Sequence, residues 1–157
     1  MILPGGAAAQ SFAVGAGAAI LTTTRTLIGE AGGGELAAEG HAELQPRGPV
    51  GIRADLTAAP GSYVFAGAHG VWHPRGADRA LDPYLFAGPT LQFIRYSSQP
   101  EANWNRVGVT GGLGATLHPS GGSLGILAEL RVHQFFARRT EASALAQFTL
   151  GLRYRAH

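Results

Sequence analysis

The chain contains no cysteine, which excludes disulfide bonds and any cysteine-ligated metal while leaving the redox compartment open. It is also poor in charge. Only 14% of its 157 residues are Asp, Glu, Lys or Arg, against about 25% in an ordinary globular domain. No Lys/Arg-rich run stands out and the formal net charge is +2, so nothing here is laid out to follow a nucleic-acid backbone. Long hydrophobic runs are missing too: no stretch comes near the roughly 18 apolar residues of a membrane-crossing helix. Yet the mean hydropathy is +0.07, high for a chain without such a run, and 24 residues are glycine. The length suits one domain.

What is present is alternation. From 36 to 58, Leu36, Ala38, Gly40, Ala42 and Leu44 share one parity, and Glu39, His41, Glu43 and Gln45 the other. After Pro46-Arg47-Gly48-Pro49, a turn sequence, the pattern resumes with Val50, Ile52, Ala54, Leu56 and Ala58 against Arg53, Asp55 and Thr57. Period two means strands with one apolar and one polar face, and the tight polar link makes these two an antiparallel hairpin. Similar rows recur at Phe12–Ile20, Val64–Trp72, Leu85–Phe93, Val107–Leu117, Leu124–Val132 and Ala144–Tyr154. That predicts about eight strands, each about 9–11 residues long, the length a tilted strand needs to cross a bilayer. Residues 124–137 also fit an amphipathic helix, and Pro89 in mid-strand predicts a bulge or an irregularity there.

A closed barrel can put either face inward, and charge placement separates the two cases. Glu39, Glu43, Asp55, Glu129, Arg53, Arg131 and Arg153 share a parity with His41, His133, Gln92, Gln147 and Thr149, while the opposite rows carry almost no charge and place aromatics (Phe12, Trp72, Phe93, Tyr154) near their ends. Aromatic row ends suit the two interfacial girdles of a membrane barrel. The expectation is an all-β, antiparallel, up-and-down transmembrane barrel of about eight strands with a polar, side-chain-filled lumen and no sizeable pore. Many outward positions are Ala or Gly, which keeps a soluble, lipocalin-like ligand-binding barrel as an alternative. With an even strand count both termini lie on the periplasmic side and the odd-numbered links face outward; the first and fifth links are long, as that orientation asks, but the third is short.

The last strand, Thr149-Leu150-Gly151-Leu152-Arg153-Tyr154-Arg155-Ala156, looks like the C-terminal signal of outer-membrane barrels. With Pro83-Tyr84-Leu85-Phe86-Ala87-Gly88-Pro89 and the Gly-rich sixth strand, the chain resembles the small outer-membrane β-barrel domain family, the OmpA/OmpX type, over residues 11–157. Members usually close on an aromatic residue, whereas this chain ends Ala156-His157. The resemblance implies a bacterial outer-membrane location, a structural or surface-interaction role, outer-membrane lipid as surroundings, and the barrel-assembly machinery and periplasmic chaperones as partners. Residues 1–10, MILPGGAAAQ, end in small residues that fit an A-x-A cleavage site. They read as a residual signal-peptide tail, the true start lying upstream, or as a disordered N-terminus, and 11–157 as a single barrel domain.

Motifs for chemistry are sparse. Gly15-Ala16-Gly17 and Gly111-Gly112-Leu113-Gly114 do not stand between a strand and a helix as phosphate-binding loops must; strand glycines more simply relieve crowding. His41, His69 and His133 share the inward parity with Glu39, Glu43 and Glu129, but without metal-site spacing; a hydrogen-bonded interior polar network is the simpler expectation. Some small barrels are enzymes that modify lipid A with Ser, His and acidic groups at the rim. Ser97, Ser98, Ser143 and His133 fall near predicted outer links, yet loop serines suit turns and no motif fixes a triad. The sequence therefore names no catalytic, cofactor-binding or metal-ligating residue and calls for no cofactor. For the hairpin 36–58, facing Glu39 with Asp55 would oppose like charges. The register that sets Glu43 against Arg53 and His41 against Asp55 is the expected one.

Overall fold

Eight strands follow one another in a computed structural model that describes residues 11–23, 34–60, 63–75, 79–94, 104–136 and 143–156. They are β1 (Ser11–Thr23), β2 (Glu35–Arg47), β3 (Val50–Ala59), β4 (Tyr63–Trp72), β5 (Leu81–Ile94), β6 (Trp104–Leu117), β7 (Leu124–Phe136) and β8 (Ser143–Ala156). Each pairs with the next, and β1 pairs antiparallel with β8, so the sheet closes. Closure leaves no edge whose backbone groups need water. Phe12 faces Ala156 across the closing seam, placing both ends of the barrel chain at one mouth. The tail 1–10 lies outside the described residues.

Alternation sets the two faces as expected. Leu36 (70% exposed), Ile52 (64%), Val107 (58%), Leu150 and Leu152 point outward, while their charged neighbours point in. Of the exposed aromatics, Phe12, Trp72 and Tyr154 lie at the mouth with the termini and Phe136 at the other, while Phe148 is exposed near the middle of β8. The outside is uneven. On β6–β8 it is Leu, Ile, Val and Phe, whereas on β2–β3 a shallow groove is lined largely by Ala38, Gly40, Ala42, Ala54 and Ala58.

Residues 124–136 form β7, so the helical reading of that segment is wrong; pairing on both sides fixes the period at two. At Pro89 there is no bulge. Pairing to β6 runs unbroken through Pro89 and Val109. On the β4 side the ladder is interrupted between Gly67–Thr90 and Gly70–Ala87 without a change of register. The missing N–H of Pro89 explains a lost bond without a shift. Gly88 is required beside it, since a Cβ there would sit 2.1 Å from the Ala68 carbonyl oxygen.

The hairpin β2–β3 takes the register expected from charge: Glu43 faces Arg53 and His41 faces Asp55. The register shifts between Leu44 and Arg47, and Gly48 turns the chain at φ +75°. The Gln45 side chain caps this turn, donating to the Gly48 carbonyl at 2.8 Å.

Ala54 lies on the exposed face in mid-strand. Replacing it by arginine sets a charge at mid-bilayer depth and is expected to lower stability by about 2–4 kcal/mol. Urea titration of the chain folded into lipid vesicles measures this, and an unchanged midpoint would contradict a lipid-facing surface.

Candidate functional site

The lumen holds the chemistry of this protein, because alternation sends every charged strand centre inward. β2 supplies Glu39, His41 and Glu43, β3 Arg53 and Asp55, and β7 Glu129 and Arg131, all buried. Burying so many charges is tolerable only if each is paired and hydrogen-bonded.

At mid-height the charges form one network. Arg53 and Arg131 are both 0% exposed. Arg53 donates to Glu129 and, at 2.9 Å, to Glu39. Arg131 donates through Nε to Glu129 at 3.0 Å and through one terminal nitrogen, Nη2, to both Glu129 and Glu39. Asp55 lies 3.4 Å from Arg131, 3.8 Å from Arg53 and 2.8 Å from His69 Nδ1. The Tyr84 hydroxyl donates to Glu129. Both guanidiniums lie over the Phe86 ring, at 5.1 and 5.2 Å from its centroid. Every basic residue other than histidine is Arg; the chain has no lysine. A planar five-donor fork can serve two carboxylates and an aromatic face at once, which an ammonium cannot.

A second cluster fills the mouth beside the termini. His73 bridges Glu43 (2.8 Å) and Asp82 (2.7 Å), and Arg153 reaches Glu43 at 2.9 Å and Asp82 at 3.7 Å. Arg153 also lies over the Tyr84 ring at 5.2 Å. In the turn after β6, burial and the nearby Arg155 and Arg153 hold His118 below the ordinary histidine value.

Toward the other mouth the lumen turns apolar. Ala19, Leu21, Ala37, Ala59, Phe65 and Phe135 form a buried cluster, joined by Tyr63 and Leu145. Phe65 stacks on Phe135 at 5.7 Å and on His133 at 5.2 Å. His133 is occupied by Thr110 (2.7 Å) and Gln147 (3.1 Å). The inside is therefore charged in the middle and at one end, with an aromatic stopper at the other.

Glycines make room for these side chains. An added Cβ at Gly15 would lie 2.3 Å from the His41 ring, at Gly112 2.5 Å from Phe86, and at Gly114 2.6 Å from Tyr84. Within the Gly-rich stretches that invite a phosphate-loop reading, Gly15, Gly112 and Gly114 are thus recesses for bulky groups on neighbouring strands.

Every polar residue assigned inward from the sequence is buried. The partnerships differ, however. Glu43 and Arg53 face each other in register, yet Glu43 bonds His73 and is ion-paired with Arg153, while Arg53 bonds Glu129 and Glu39. The three inward imidazoles have separate surroundings: His41 beside Glu39 and Arg53, His69 on Asp55, His133 on Thr110 and Gln147. Among the described residues no group of three or more His, Cys, Asp or Glu is placed to hold a metal ion. Ser97 and Ser98 fall outside the described residues. His73 and Asp82 escaped the sequence reading, whose apolar rows end at Trp72 and resume at Leu85. The alternation Leu81-Asp82-Pro83-Tyr84 is the signal that β5 starts earlier.

Glu129 touches both central arginines. Its replacement by leucine leaves two buried cations to Glu39 and the more distant Asp55 and is expected to cost about 3–5 kcal/mol. Adding Arg131→Met should recover part of that loss. Equilibrium unfolding of the two single variants and the double variant gives the coupling; simple additivity would show that the network is not a unit.

No family model matches the chain, and no curated protein sequence is similar to it. Solved structures do share its fold. Neisserial surface protein A superposes with a TM-score of 0.69 at 15% identity, covering 91% of this chain and 96% of that one. The N-terminal β-barrel domain of Pseudomonas aeruginosa OprF gives 0.66 at 14%, covering 92% and 97%. Ail, the attachment invasion locus protein of Yersinia pestis, solved with the heparin analogue sucrose octasulfate, gives 0.60 at 12%, covering 94% and 99%.

Proposed function

We propose that this chain, which has the fold of the small eight-stranded outer-membrane barrels, is itself a bacterial outer-membrane protein with a structural or surface-interaction role and a sealed lumen. The observation that carries the reading is the inversion of a soluble protein's order: apolar rows outside, a paired ionic network inside. A soluble monomer rarely exposes contiguous apolar surface beyond a few hundred Å², whereas hydrocarbon accepts a complete belt of it. That outward parity also speaks against the lipocalin-like alternative, which needs an apolar cavity inside.

The sealed lumen supports a role other than bulk diffusion. Arg53, Arg131, Glu39 and Glu129 join β2, β3 and β7 across the interior, and Phe65 with Phe135 packs the far mouth. A role at the surface then falls to the links and rims, as Ail's complex with a heparin analogue illustrates for that protein. The lipid A-modifying alternative gains no partner for its histidine, because Thr110 and Gln147 occupy His133. The exposed row Phe148, Leu150, Leu152 and Tyr154 of β8 is the surface that recognition by the barrel-assembly machinery and periplasmic chaperones would use.

The chain is expected to aggregate in plain buffer, to refold with detergent or lipid, and to migrate differently on gels with and without heating. A monodisperse monomer in buffer alone would overturn the membrane reading. In planar bilayers the refolded chain is expected to show no stable steps of the size given by large porins; such steps would refute the sealed lumen.

A further inference from the structure

We infer that His73 is a proton-dependent clasp at the mouth beside the termini, fastening the end of β4 to β2 and β5 while its imidazole is charged. His73 stands one residue beyond β4. Its backbone N–H donates to the Pro49 carbonyl at 2.7 Å, carrying the β3–β4 pairing past the end of the strand. The side chain turns into the lumen and is fully buried. There Nδ1 lies 2.7 Å from Asp82 Oδ1 on β5, and Nε2 lies 2.8 Å from Glu43 Oε1 on β2.

A neutral imidazole has one N–H, and an ionised carboxylate only accepts. Two ring nitrogens bonded to two carboxylates therefore require the imidazolium, with both nitrogens donating. Two carboxylates and one arginine surround the ring. β2 presents Glu43, and β5 presents Asp82 together with Tyr84, whose ring lies 5.4 Å from the imidazole. β8 presents Arg153, shared between the same two carboxylates. On β3, Arg53 faces Glu43 in register but is engaged by Glu129 and Glu39. His118, in the turn after β6, is buried at the same end.

Removing the proton leaves Glu43 and Asp82 with Arg153 between them, and turns one ring lone pair toward a carboxylate. Burial alone would drive the charge off His73, but the bonds to Asp82 and Glu43 outweigh it and hold the group above its ordinary 6.5. A raised folded-state value has a definite sign. The clasp's contribution is fully present below the ordinary value and is lost as pH rises through the raised one. The arginines of the central network stay protonated over that interval, and their bonds to Glu39 and Glu129 need no imidazole proton. Loosening therefore starts at this mouth, where β4 ends.

The test is nitrogen-15 imidazole NMR with amide hydrogen exchange on the full chain refolded in detergent micelles, from about pH 5 to about pH 10. Both His73 ring nitrogens should stay protonated above about pH 7, where a free histidine is largely neutral. After correction for the intrinsic rate, protection of the His73 amide should fall roughly tenfold across the ring titration, while the Arg131 amide keeps its protection. His73→Gln should show weak protection at every pH and no step. A His73 ring already neutral at pH 7, a titration without loss of protection, or full protection in His73→Gln would each overturn the clasp. If His73→Gln does not refold, the native chain and Asp82→Asn decide: removing one of the two negative charges should move the ring titration to lower pH, and an unmoved titration overturns the proposal.

Discussion

Charge compensation inside the lumen is the condition on which the rest of this structure depends. Arg53 and Arg131 are out of contact with solvent, and an isolated guanidinium there would cost several kcal/mol. Glu39 and Glu129 answer them, each touching both arginines, with Asp55, His69 and Tyr84 completing the shell. These groups sit on four strands besides the one carrying the arginine at hand, so the network fixes how opposite walls stand relative to each other. Backbone pairing ties each strand only to its neighbours. The ionic layer ties β2 and β3 to β7 directly.

Space for that layer is found on strands that carry little. The inward row of β6 reads Gly108, Thr110, Gly112, Gly114, Thr116, and Tyr84 and Phe86 of β5 lean into the room left by its glycines. Phe86 in turn is the surface on which both arginines rest. The abundance of glycine and the shortage of charge, two bulk properties of the chain, therefore have one origin. A narrow barrel admits few large groups, and each needs a recess on a neighbouring strand.

Ordering along the barrel axis follows the same economy of partners. Carboxylates and most of the arginines bonded to them occupy the middle and the mouth beside the termini, with His73 between two carboxylates there. Phe65, Phe135, Leu21 and their neighbours close the other end by packing. Sequence alternation marks Phe65 and Phe135 as inward but says nothing of their meeting, since β4 and β7 are not adjacent. It likewise misses His73, which lies beyond a strand end, where alternation no longer applies.

Period two by itself decided which side chains share a face and that there are about eight strands, and charge placement pointed the apolar face outward. Those properties are local: successive Cβ atoms on a strand must point to opposite faces. The β2–β3 register was legible too, because charge pairing and the two turn prolines act across one short hairpin. Which charges actually bond was decided by the closed barrel alone. Glu43 faces Arg53 along the sheet yet bonds His73 and is ion-paired with Arg153, because long side chains crossing a narrow lumen reach groups on distant strands more readily than their register neighbours. That distance is set by closure, and closure has no local signature.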